Sequence, residues 1–146
     1  MNSMVFEPKG KGRLNCFALV TYIRDPLAKF LDELRKELIP GCTPHAHVTI
    51  LPPRPIASEG DDAAEAARTA LADVPAFELE AGEIEVFRET NVVYLSISKG
   101  LKELHALHAL ANTGPVVFKE PFPYHPHITL AQDLTAEQCA HLEQVA

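Results

Sequence analysis

Apolar and polar residues fall in short blocks along this chain, with a period that switches between two and about 3.6. Leu14–Ile23 (LNCFALVTYI) is rich in aromatic and β-branched residues and predicts a buried strand. Asp25-Pro26 then offers an N-cap and a proline at the first helical position. Leu27, Phe30, Leu31, Leu34 and Leu38 follow at helical spacing as one apolar face, and Pro40-Gly41 stops the helix. A second strand is expected at about residues 45–51, ended by Pro52-Pro53. Alanine-rich residues 59–73, with Asp61 and Asp62 early, predict a second helix. Phe77–Phe87 alternates loosely around Gly82 and reads as a strand or a bulged pair. Glu89-Thr90-Asn91 looks like a hairpin turn into the strand Asn91–Ser98. Leu101–Ala111 is a third helix, stopped by Asn112-Thr113-Gly114-Pro115. A Pro- and aromatic-rich connection, 115–126, leads to one more strand. Thr135, with Gln138 three residues on, forms a capping-box pattern that opens a last helix. Residues 1–12, where Gly10 and Gly12 alternate with Lys9 and Lys11, are expected to be a flexible tail.

Laid out in this way the chain repeats. Strand 14–23, helix 26–38 and a strand at His47 match strand 91–98, helix 101–111 and a strand at His127. The third member of each set carries the same local pattern, His-x-His-x-Thr followed by an aliphatic residue. One reads His45-Ala46-His47-Val48-Thr49-Ile50, the other His125-Pro126-His127-Ile128-Thr129-Leu130. In a strand, residues i and i+2 share a face. His47 with Thr49, and His127 with Thr129, therefore face one way, leaving Val48, Ile50, Ile128 and Leu130 for a core. The pattern predicts an α+β fold of two similar β-α-β lobes, related by a pseudo-twofold, with the two His-x-Thr motifs across a central cleft.

Composition narrows the function. At 146 residues and 47% hydrophobic, the chain is long enough for one domain with a sizeable core, residues 13–146. A net charge of −7 argues against a long nucleic-acid groove, which needs a basic surface, but permits a small anionic ligand or an RNA end. Three cysteines, Cys16, Cys42 and Cys139, without CxxC spacing, favour reduced thiols and a cytoplasmic location. No signal-peptide pattern is seen, and Leu14–Ile23 is too short to span a bilayer. A monomer is expected, with no membrane partner.

A histidine beside a threonine in a strand is usually a satisfied core or surface group. Two copies at matching places in a repeated pattern point to chemistry. An unperturbed imidazole titrates near ~6.5 and serves as acid or base near neutrality. Two histidines flanking a phosphate can drive in-line displacement, one taking a proton from the attacking water and the other protonating the leaving oxygen. Threonine hydroxyls can donate to the non-bridging oxygens as charge develops there. Such a scheme needs no metal or other cofactor.

The paired motifs His47-Val48-Thr49-Ile50 and His127-Ile128-Thr129-Leu130, with Pro126 before the second, resemble the mark of the two-histidine (2H) phosphoesterases. That family includes bacterial and archaeal 2′-5′ RNA ligases and RNA 2′,3′-cyclic phosphodiesterases. The resemblance covers about residues 13 to 140. It implies a two-lobed α+β fold, His47 as proton donor, His127 as proton acceptor, and Thr49 and Thr129 as phosphate holders. It implies hydrolysis of a 2′,3′-cyclic phosphodiester on RNA ends or small nucleotides, with reversible 2′-5′ ligation as a second activity. Family members usually continue with a helix and a further strand after the second motif. This chain stops at Ala146, so a short member or a C-terminal truncation is expected.

Other residues are candidates for substrate contact. Arg54 could reach an anion, and Phe122 and Tyr124 could stack on a base; Arg54 and Lys119 equally read as solvated charges, and the two aromatics as packing for the connection. His105 and His108 read as surface or interface residues. Glu78, Glu80, Glu83 and Glu85 alternate like a solvated strand face. Two alternatives remain: a nucleotide-binding module with little turnover, and a metal-dependent hydrolase using His45, His47, His125 and His127. Against the second, Pro52 stands where a cupin needs glutamate, and Thr129 where the histidine-triad hydrolases need a third histidine. Cys42 and His45 form a lone Cys-x-x-His pair without a second.

Overall fold

The computed structural model describes residues 2–6, 15–41, 44–57, 59–132 and 134–145. They form a mixed α+β structure: β1 (Asn2–Phe6), β2 (Asn15–Tyr22), α1 (Leu27–Leu38), β3 (His47–Ile56), α2 (Gly60–Leu71), β4 (Glu80–Phe87), β5 (Val92–Lys99), α3 (Leu101–Ala111), β6 (Ile128–Ala131) and α4 (Ala136–Val145). The strands make two three-stranded sheets, ordered β1-β2-β3 and β4-β5-β6. The chain divides into two compact units. The first holds the residues up to Thr21, Thr49–Phe77 and Leu101–Pro126; the second holds Tyr22–Val48, Glu78–Gly100 and His127 onward.

In the first unit β2 is the central strand. Phe17, Ala18, Leu19 and Val20 are all buried, so both faces of β2 are covered. Asn2–Phe6, expected as part of a tail, instead pair antiparallel with β2, Asn2 opposite Val20 and Phe6 opposite Cys16. A strand this short shows little periodicity of its own, and its pairing with β2 supplies the order. The strand at His47 also differs from expectation, since it runs on through Pro52, Pro53 and Pro55 to Ile56. β3 lies at the edge of its sheet, where a proline's missing N–H costs no ladder bond. Helix α2 packs on α3 and on the 3-10 turn Gly114–Val116, burying Ala63, Ala67, Leu71, Leu104, Leu107, Ala111 and Val116.

In the second unit β5 is central and antiparallel to both neighbours. The irregularity expected at Gly82 is a bulge, with register shifts on both sides of Ala81. Its loosened backbone is satisfied by hydroxyls: Glu83 N–H donates to Ser96 Oγ (3.0 Å), and Ser98 Oγ donates to Glu80 O (3.3 Å). A side chain at Gly82 would displace the Ser96 hydroxyl, since a Cβ there would sit 2.5 Å from Ser96 Oγ. The β4–β5 turn closes through Asn91 at φ 52°. Helix α1 packs on β6, and α4 on β4 and β5. The capping box opening α4 forms in both directions, Gln138 N–H to Thr135 Oγ1 (3.1 Å) and Thr135 N–H to Gln138 Oε1 (3.0 Å). Asp25 serves α1 through a bond from Lys29 N–H to its Oδ1 (3.1 Å), while the cap position falls on Pro26. The buried face of α1 is centred on Ala28 and Leu31; Leu27 and Phe30, expected in the apolar face, are exposed.

The β-α-β repeat therefore does not map onto the units as the sequence suggested. Helix α1 comes after β2 in the chain but packs in the unit of β6, and α3 comes after β5 but packs in the unit of β2. Order along the chain does not decide which unit a helix joins.

Candidate active site

Both His-x-Thr motifs have the alternation their sequence predicts. His47 and Thr49 are half-buried while Val48 and Ile50 are buried; His127 and Thr129 are half-buried while Ile128 and Leu130 are buried. Both motif histidines belong to the second unit, together with Thr129. β3 crosses the boundary between units, so Thr49 counts with the first.

The segment entering the first motif is pinned from two directions. Ala46 is fully buried, its N–H donates to Asp32 Oδ1 on α1 (2.9 Å), and its carbonyl accepts from Ile23 N–H (2.9 Å). The same helix packs on β6, the strand of the second motif. Helix α1 thus touches the approaches to both motifs. The His47 ring bonds through Nδ1 to the carbonyl of His45 (2.8 Å). A carbonyl only accepts, so Nδ1 carries the hydrogen and Nε2 is the nitrogen left to exchange a proton. Tyr22 lies flat on the His45 ring (3.7 Å, 10°) and meets His47 edge-on (6.2 Å, 77°).

The second motif is framed by a different pair of rings. Tyr94 and Phe87 stack at 4.1 Å, and His127 meets each of them edge-on, at 5.2 and 5.1 Å. The register explains the meeting, since Tyr94 stands opposite Thr129 and Phe87 stands opposite Val92. Burial, and then the charge of Glu85, raise the Tyr94 phenol above its ordinary range. Sequence reasoning missed Tyr22, Phe87 and Tyr94, because cross-strand register is invisible in a single strand's pattern.

The remaining candidates part company. Phe122 is 78% exposed. Arg54, a candidate anion contact by sequence, does not reach solvent: its side chain is fully buried. Nε donates to Pro52 O (3.0 Å), Nη1 to Asn112 Oδ1 (2.6 Å) and Val116 O (3.1 Å), and Nη2 to Glu120 Oε2 (2.6 Å). Its position on β3 has the parity of Val48, Ile50 and Ile56, a signal the sequence did contain. Tyr124 is half-buried, with its ring flat on His108 (4.1 Å, 7°) and its hydroxyl donating to the Thr49 carbonyl (2.7 Å). His108, read as a surface residue, meets Glu120 at 2.7 Å. His45 is exposed. Cys16 is a free thiol, while Cys42 and the Cys139 side chain lie outside the described residues. Among the described residues, no group of three or more His, Cys, Asp or Glu is arranged to hold a metal ion. No described helix is long and apolar enough to cross a membrane.

Fold and motifs together define a small α+β protein built on two His-x-Thr strands. A profile of the 2′-5′ RNA ligase superfamily matches residues 23–146, taking in both motifs, and the chain belongs to that superfamily, consistent with the two-histidine phosphoesterases. No curated protein sequence matches it. Membership supports an enzyme of the phosphoesterase or RNA-ligase type.

Proposed function

We propose that the protein is a metal-independent phosphoesterase that opens a 2′,3′-cyclic phosphodiester on an RNA end or a small nucleotide, acting as a cytoplasmic monomer. His127 takes a proton from the attacking water as the new P–O bond forms. His47 delivers a proton from Nε2 to the ribose oxygen as the old bond breaks. Thr49 and Thr129 donate hydroxyl hydrogen bonds to the non-bridging oxygens, where negative charge grows. Phe122 offers an exposed ring for a base. With an RNA 5′-hydroxyl in place of water as the attacking group, the same groups join ends through a 2′-5′ bond as the ribose 3′-oxygen leaves, and the reverse attack by that 3′-hydroxyl opens the bond again.

The observation that carries this reading is the pair of motifs in one superfamily chain, with both histidines in a single compact unit. The bond from Nδ1 to the His45 carbonyl adds support, because it commits one nitrogen of His47 and leaves the other for exchange. The test is turnover of a 2′,3′-cyclic nucleotide in excess EDTA. Sustained hydrolysis is expected. Binding without turnover favours a nucleotide-binding module, and activity lost in EDTA but restored by zinc favours metal chemistry at the motif histidines.

A further inference from the structure

Thr49 is held by its backbone, from a residue 75 positions away in sequence. The Tyr124 hydroxyl donates to the Thr49 carbonyl at 2.7 Å. Burial, and then the charge of Glu120, push this phenol well above the ordinary tyrosine range, so it stays a donor. The ring beneath that hydroxyl is itself fixed. It lies flat on His108, with His105 edge-on at 5.2 Å. His108 Nε2 meets Glu120 Oε2, and the same oxygen pairs with the buried Arg54. Arg54 and Thr49 belong to one strand, β3, so the contacts form a closed circuit: Thr49, Tyr124, His108, Glu120, Arg54 and back along β3.

A half-buried tyrosine needs an acceptor, and many carbonyls could serve. Here the acceptor is the peptide of the one motif threonine on β3, and four further side chains hold the donor in place. We propose that Tyr124 is a positioning residue for Thr49, fixing the peptide that carries its hydroxyl; this rests on reading Thr49 as a phosphate holder. A donor to developing charge must stay within about 0.5 Å of its productive place, so a loosened peptide weakens the transition state more than the bound substrate. This revises the expectation that Tyr124 stacks on a base.

The experiment is a double-mutant cycle on hydrolysis of a 2′,3′-cyclic nucleotide. Tyr124→Phe keeps the ring and removes only the hydroxyl. It is expected to lower kcat about tenfold, with KM changed less than about twofold. Thr49→Ala is expected to lower kcat by ~10²–10³, and the double variant to be no slower than Thr49→Ala alone. His108→Ala, which keeps the phenol but removes the ring under it, should lower kcat similarly. His108→Phe, with a flat ring restored, should recover most of that loss. Additive effects of Tyr124→Phe and Thr49→Ala, or wild-type kcat in both Tyr124→Phe and His108→Ala, overturn the proposal. Failure of the parent reading looks different: the wild-type protein is then itself inactive, and the positioning role falls with it.

Discussion

His47 enters any reaction with one ring nitrogen already committed, since Nδ1 donates to the His45 carbonyl. That bond fixes the tautomer and ring direction without using a second side chain. His127 has a different setting, edge-on to two stacked rings, so the two histidines are not equivalent despite their shared His-x-Thr pattern. Thr129, opposite Tyr94 in the register, is the partner threonine on β6. Thr129→Ala should slow turnover by ~10²–10³ while leaving the thermal unfolding midpoint within a few degrees; wild-type kcat in that variant removes the residue from the mechanism. The tyrosines make a separate prediction. The folded-state values of Tyr94 and Tyr124 are raised, so in alkali the unfolded chain loses these protons first. Their contribution is fully present below about pH 10, the free-tyrosine value, and is lost as pH rises beyond it. Denaturant unfolding measured from pH 9 upward should show stability falling once the pH passes about 10, and Tyr124→Phe should flatten the fall. An equally steep fall in that variant argues against Tyr124 as a contributor.

Among the elements, β3 carries the most conflicting signals. Three prolines read as a stop, yet the strand continues because it lies at a sheet edge. Arg54 reads as a surface charge, yet it is fully buried and its charge is met by Glu120, from the connection before β6. Removing one partner of a buried pair strands the other. Glu120→Ala should therefore cost about 3 kcal/mol in urea unfolding, and replacing Arg54 by Met in the same chain should recover part of it. A Glu120→Ala protein as stable as wild type contradicts this account of the strand. Most helices and strands were legible because period and caps are local signals: α3, the α4 capping box and the turn at Asn91 all stand where the sequence put them. β1 was not legible, because five residues show too little period and pairing with β2 supplies the order. The Arg54–Glu120–His108 circuit was not legible beyond the parity of Arg54, because its partners come from three separate segments.

At the scale of the whole molecule, the motif residues were readable and their surroundings were not. Repetition singled out His47, Thr49, His127 and Thr129 without any knowledge of contacts. The assignment of helices to units went the other way, with α1 packing in the unit of β6 and α3 in the unit of β2. One consequence is functional. Helix α1 packs on the strand of one motif and binds the peptide before the other, through Asp32 and Ala46. The proposed mechanism has His47 and His127 sharing one phosphate. The most direct test compares His47→Ala and His127→Ala on two substrates, a 2′,3′-cyclic nucleotide and a nitrophenyl phosphodiester. On the nucleotide, each variant should be slower by ~10²–10⁴, the usual share of acid–base catalysis. Nitrophenolate leaves without needing a proton, so the second substrate should rescue His47→Ala far more than His127→Ala. Equal rescue of both contradicts the assigned roles, and full activity in either variant contradicts the two-histidine mechanism.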